Sequence, residues 1–128
     1  GTAAVSDYKP AKMQNNKIKK DGSNSSITLE LEENKDILKS VSALKHRPFV
    51  VGFAAETNDV IENAEKKLSS KDLDLIVAND VSKKEIGFDS EENEVTLVTS
   101  ADNYLIERQS KKKVSNKIIE FISERINN

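Results

Sequence analysis

The chain has 128 residues, 36% hydrophobic and 33% charged, with net charge −2, four Gly, no Cys and no Trp. This length predicts one domain that buries about two thirds of its unfolded surface. The composition excludes disulfides, thiolate sites and Cys nucleophiles, argues against a general nucleic-acid binder, and holds no apolar run long enough for a membrane span.

The opening Gly1-Thr2-Ala3-Ala4-Val5-Ser6-Asp7-Tyr8-Lys9-Pro10 reads as the tail of a buried strand entering a loop. No Met precedes it and no G-x-G-x-x-G turn accompanies it, so a preceding segment of the domain is expected to be missing, the alternative being a small complete domain with a few added residues at its start. From Lys9 to Lys20 there are five Lys and no acid, followed by a Gly/Ser/Asn run over Asp21–Ser26. Residues 9–26 therefore read as a mobile basic strap, either plain solvated surface or an anion-facing edge. Strict alternation over Ile27–Glu32 predicts a half-exposed strand. Asp36 then starts a short helix with Ile37, Leu38 and Val41 turned inward. His46, the only His, lies between Lys45 and Arg47 and reads as solvated.

Phe49–Thr57 is the centre of the chain. Residues 49–54 carry no charge and no alternation, which predicts a strand buried on both faces of a parallel sheet. The strand runs into Ala54-Ala55-Glu56-Thr57-Asn58-Asp59, small residues and then helix N-cap types. Such carboxyl edges hold ligands in α/β sheets, although a tightly packed turn explains the pattern as well. A helix over 58–68 follows, with Val60, Ile61, Ala64 and Leu68 inward. Lys67 and Lys71 lie four apart, a repulsive spacing that an anion would offset and that two solvated lysines also explain.

A second buried strand, Leu73–Val81, brings Asn79 and Asp80 to the same carboxyl edge. Residues 82–92 read as a polar loop. Strands are predicted at Glu94–Val98 and Asp102–Glu107, and a last helix at Lys111–Arg125 with Val114, Ile118, Ile119 and Ile122 on its apolar stripe.

Five segments now stand in order: Ala3-Ala4-Val5-Ser6-Asp7-Tyr8, Lys17-Ile18-Lys19-Lys20, Gly52-Phe53-Ala54-Ala55-Glu56-Thr57, Asp74–Val81 and Gly87-Phe88-Asp89-Ser90. In this arrangement the chain resembles the phosphopantothenoylcysteine synthetase domain of the DNA/pantothenate metabolism flavoprotein family, in its C-terminal portion. The resemblance implies an α/β, three-layer Rossmann-like fold with a central mostly parallel sheet plus a β-hairpin, here lacking its N-terminal segment. It implies joining 4′-phosphopantothenate to L-cysteine with CTP and Mg²⁺ through an acyl-cytidylate. It also implies a cytoplasmic homodimer, with FMN only in a fused decarboxylase domain outside this chain, and neither nucleic acid nor membrane as partner.

Carried over residue by residue, Thr2, Ala3 and Asp7 would lie against the nucleotide. Lys17 would neutralise charge at the reacting acyl-phosphate and is the residue closest to the chemistry. Lys35, Asp36, Ile37 and Leu38 would meet cytosine through backbone groups, although the family often has Pro where Lys35 stands. Phe53 would pack on the nucleotide, and Lys67 and Lys71 would grip its triphosphate. A polar residue of the family that holds the acyl intermediate has no counterpart here, so this chain alone should not complete the reaction. The rival readings are a non-catalytic α/β nucleotide-binding or dimerisation module and an ATP-using relative.

Overall fold

The structure, a computed structural model, describes residues 1, 5–12, 16, 26–82 and 90–127. They form two compact units, Gly1–Ile37 and Leu38–Asn128. The middle of the predicted basic strap and most of the 82–92 loop lie outside the described residues.

In the first unit, β1 (Tyr8–Pro10) pairs antiparallel with β2 (Leu31–Glu33), Tyr8 opposite Glu33 and Pro10 opposite Leu31. Two expectations are corrected here. The opening is not the tail of a buried strand among its described residues: Val5 is 52% and Tyr8 53% exposed. Regular pairing of the 27–32 stretch begins only at Leu31, and Ile27, Leu29 and Leu31 are all exposed. The cause is the same in both cases. Within the first unit, the described residues form only a two-stranded ribbon of three-residue strands, which by itself offers no layer to bury an apolar face, however regular its alternation. Backbone bonds hold the ribbon: Ala11 N–H donates to the Glu30 carbonyl (2.9 Å) and Asn34 N–H to that of Asp7 (2.7 Å).

The second unit is an α/β sandwich. After α1 (Ile37–Ser42) come β3 (Val51–Glu56), α2 (Val60–Ser70), β4 (Leu75–Asp80), β5 (Glu92–Val98), β6 (Asn103–Ser110) and α3 (Lys111–Ile126). The sheet order is β3-β4-β5-β6. β3 and β4 are parallel, joined through α2, while β4–β5 and β5–β6 are antiparallel. The described sheet is thus mixed, with its parallel character in β3–β4 and the expected hairpin in β5–β6. Two cores face away from each other across it. Val50, Ala54, Ile76, Ala78 and Val98 pack with Ala64 and Leu68 of α2 on one face. Leu75, Val77, Val95, Leu97 and Ile106 pack with Val114 and Ile118 of α3 on the other. The uncharged run Leu75–Ala78 is therefore buried on both sides, as a central strand of apolar residues must be.

Three details depart from expectation. In α1, Leu38 and Val41 pack on the core, but Ile37 is 55% exposed, because only one side of so short a helix reaches the sheet. In α3, Ile119 is 64% exposed, and Phe121 takes its place in the packing against Tyr104, ring centroids 5.1 Å apart. Positions 114, 118, 121 and 122 share one side at the helical period, and 119 falls beyond its edge. Third, β3 is not buried on both faces. It is an edge strand of the described sheet, and α3 packs on β5 and β6 rather than on it. Its α2-facing Gly52 and Ala54 are buried, whereas Phe53 on the other face is 74% exposed.

Two local devices set β3. A Cβ on Gly52 would stand 2.9 Å from Leu73 Cδ1 and 3.5 Å from Ile76 Cγ1, so the missing side chain lets the strand sit deep under them. Arg47 grips Asp74 with Nη2 to Oδ1 (2.8 Å) and Nη1 to Oδ2 (3.0 Å), and Val50 N–H donates to the same carboxylate (2.6 Å). That clamp ties the entry of β3 to the entry of β4.

On the open side of α2, Lys66 donates to Glu62 at 2.6 Å. The Lys66 hydrogen bond holds the Glu62 carboxyl below its ordinary value of 4.5, and the same bond raises Lys66 above 10.5. A lowered acid stabilises above its unfolded pKa and loses that as pH falls through its folded one; a raised base does the reverse at high pH. The pair therefore contributes fully between 4.5 and 10.5. Glu62→Gln is expected to lower the melting temperature slightly at about pH 7, less at high salt, and less again well below pH 4.5, at about pH 2.5. Thermal melts at the two pH values check this, and an equal drop at both would contradict it.

Candidate functional site

At the carboxyl edge of β3 and β4 two parallel strand tips, a helix start and charged side chains meet. The register pairs Ala55 with Asn79 and Glu56 with Asp80, so both tips end level. Beyond them the chain turns through Thr57, Asn58 and Asp59, the last with φ 47°, into α2. Val81 N–H donates to the Glu56 carbonyl (2.9 Å), and Asp80 Oδ1 accepts from Ser82 N–H (3.0 Å) and from its hydroxyl (2.6 Å).

Alternation sorts the tip residues by face. Glu56 follows Gly52 and Ala54 onto the α2 side, where its carboxylate accepts from Lys67 Nζ at 2.6 Å. The Glu56 side chain is only 15% exposed and that of Lys67 47%. Phe53 leaves β3 on the opposite face, and Asn79, in line with Leu75 and Val77, leaves β4 on that same face. Asn79 Oδ1 is buried without a hydrogen-bond partner, a cost of about 1–3 kcal/mol in a protein interior.

The expected site residues fall as follows. Lys67 reaches the tip of β3 on its α2 side, whereas Phe53 stands mid-strand on the opposite face, so the structure does not bring these two expected site residues together. Lys71 is the C-cap of α2, its N–H donating to the Lys67 carbonyl (3.1 Å), so it stands one turn further from the strand tips. Leu38 puts its side chain into the α2-side core, which leaves only its backbone for a ligand. Asp7 sits in the first unit at the start of β1, its carbonyl tied to Asn34. Lys35 is exposed, Asp36 half-buried and Ile37 exposed. Thr2, Ala3 and Lys17 lie outside the described residues. His46 is exposed, as expected of a solvated imidazole.

Glu56 and Asn79 were named in sequence only as turn and strand-end residues. Alternation from Ala54 was the available signal for Glu56, since it places the carboxylate under α2. Among the described residues no group of three His, Cys, Asp or Glu is arranged to hold a metal ion. The neighbouring carboxylates of Glu56 and Asp80 already accept from Lys67 and Ser82. The described residues thus form no protein cage for a divalent ion. Nor is any described helix long and apolar enough to cross a membrane.

Comparison with known proteins settles the family. Residues 1–126 match the DNA/pantothenate metabolism flavoprotein C-terminal domain. The chain belongs to this family. Among curated relatives, the coenzyme A biosynthesis bifunctional protein CoaBC of Vibrio parahaemolyticus is 45% identical over 123 residues, covering 95% of this chain and 31% of that protein. The same-named protein of Escherichia coli is 50% identical over 99 residues, 76% of this chain and 24% of its own length. The chain therefore spans about a third or less of these relatives. A crystal structure of the C-terminal domain of CoaBC superposes with a TM-score of 0.71 at 32% identity, over 98% of this chain and 53% of that one. A DNA/pantothenate metabolism flavoprotein from Streptococcus pneumoniae shares the fold, with a TM-score of 0.73 at 20% identity over 95% of this chain and 60% of that one. This flavoprotein-family domain is thus an α/β domain whose relatives work in coenzyme A biosynthesis.

Proposed function

We propose that the protein carrying this chain joins 4′-phosphopantothenate to L-cysteine at the expense of CTP, in coenzyme A biosynthesis. The pantothenate carboxylate attacks the α-phosphorus of CTP, and the bond to pyrophosphate breaks. The cysteine amine then attacks the acyl carbon, loses a proton, and CMP departs with the carbon–oxygen electron pair. Activation is needed because a free carboxylate has no good leaving group.

The task of the protein is to gather anions, which calls for fixed cations and backbone donors where charge accumulates. Family membership over residues 1–126 carries this reading. The Lys67 ammonium beside the tip of β3 supports it. Asp7, Thr2, Ala3 and Lys35–Leu38 serve the nucleoside, Lys67 and Lys71 the triphosphate, and Lys17 the acyl-phosphate. Magnesium would shield the phosphate charge where the triphosphate binds. The acting form is a homodimer, and FMN belongs to a separate decarboxylase domain.

Pyrophosphate release from the full-length protein tests the proposal. With phosphopantothenate and CTP alone, release is expected to stop near one equivalent per site, and cysteine should turn it into steady turnover. ATP should support far less. No release with either nucleotide removes the ligase reading and leaves a binding module.

A further inference from the structure

We propose that Glu56 is a positioning residue, holding the Lys67 ammonium at the tip of β3 so that it meets a nucleotide phosphate oxygen already in place. The inference rests on the CTP-ligase reading and adds a residue to it.

Three observations carry it. Lys67 stands two turns inside α2, where helix geometry inclines its side chain toward the helix start but leaves its flexible four-carbon stem free to place the ammonium at many points around that turn. The 2.6 Å bond to Glu56 fixes that end point at the tip of β3. Glu56 itself is hard to move: its backbone is fixed by the register with Asp80 and by Val81 N–H, and its side chain is 15% exposed. The contact therefore joins a rigid acceptor to a mobile donor, unlike two solvated side chains meeting by chance. Finally, an ammonium has three N–H donors. Glu56 takes one, leaving two for a phosphate oxygen.

Charge alone argues the other way, because a carboxylate beside an anion site weakens attraction. The pair is useful only if fixing the lysine in advance outweighs that loss. This gives the inference a definite sign. Removing the carboxylate should weaken nucleotide use, not strengthen it.

The test is steady-state pyrophosphate release by the full-length protein, varying CTP at saturating phosphopantothenate and cysteine. Glu56→Ala is expected to raise KM for CTP about 10-fold with kcat within about 2-fold, the pattern of lost ground-state binding. Glu56→Gln keeps an acceptor at the same reach and should stay within about 3-fold of wild type. In a Lys67→Met background, Glu56→Ala should add no further rise, since the partner it positions is gone. Should Glu56→Ala fail to fold, Glu56→Asp, one methylene too short, replaces it with the same expected rise. An unchanged or lowered KM in the Ala variant, a loss confined to kcat, or a full effect persisting without Lys67 overturns the inference. Wild-type protein that releases no pyrophosphate overturns the ligase reading itself, and this inference with it.

Discussion

Asp74→Ala is expected to lower the unfolding free energy by about 3 kcal/mol, the largest stability loss anticipated for any charged residue of the second unit. The carboxylate has three protein partners: both Nη atoms of Arg47 and the N–H of Val50. Side-chain exposures of 29% for Arg47 and 23% for Asp74 leave the pair largely dry. Truncation would strand the guanidinium with the Asp72 carbonyl (3.1 Å) as its remaining partner, and it would orphan a backbone donor on a residue 4% exposed. In a protein of this size about 3 kcal/mol corresponds to a fall of about 10–15 °C in melting temperature. Asp74→Asn keeps an acceptor and should lose less than half as much. A drop below about 3 °C for the Ala variant would mean that the clamp is solvated and contributes little.

Phe53→Ala is expected to cost about 10- to 100-fold in affinity for magnesium CTP while leaving the melting temperature nearly unchanged. The two readouts separate because the ring is 74% exposed, so its removal strips few contacts from the fold. Aromatic contact with a nucleobase is typically worth about 1–3 kcal/mol, which sets the fold-change. Calorimetric titration of the full-length protein with the nucleotide, beside a thermal melt, measures both. Unchanged affinity would remove Phe53 from the site. Unchanged affinity with a large thermal loss would mean that another segment of the protein covers the ring.

How much of this was legible in the sequence varies with the physics of each element. Leu75–Ala78 was readable because a central strand must be apolar on both faces, and these four residues are. The same reasoning failed for Phe53. The composition of a strand does not say whether it stands at an edge, and Val51–Glu56 is at the edge of the described sheet. Ile27, Leu29 and Leu31 show a different limit. Alternation marks a face, but whether a layer covers that face depends on other parts of the chain. The Lys67–Lys71 spacing was visible, whereas the carboxylate answering Lys67 lies eleven residues back on a strand. No local period links a strand tip to a helix position; only the crossover geometry does. The orphan oxygen of Asn79 likewise depends on what packs around it. Family membership was legible earlier than the site geometry, because ordered short motifs survive without any knowledge of packing.

Gly52 has a consequence that reaches beyond its own contacts. It lies four residues before Glu56, about 13 Å along an extended strand. With Leu73 Cδ1 only 2.9 Å from where a methyl would go, it acts as a fulcrum, and β3 is the lever arm above it. A tilt that moves the backbone by a few tenths of an ångström at this pivot swings the far end by more. The far end holds Glu56 and, through it, the Lys67 ammonium, so the bare hydrogen of Gly52 calibrates the reach of a lysine it never touches.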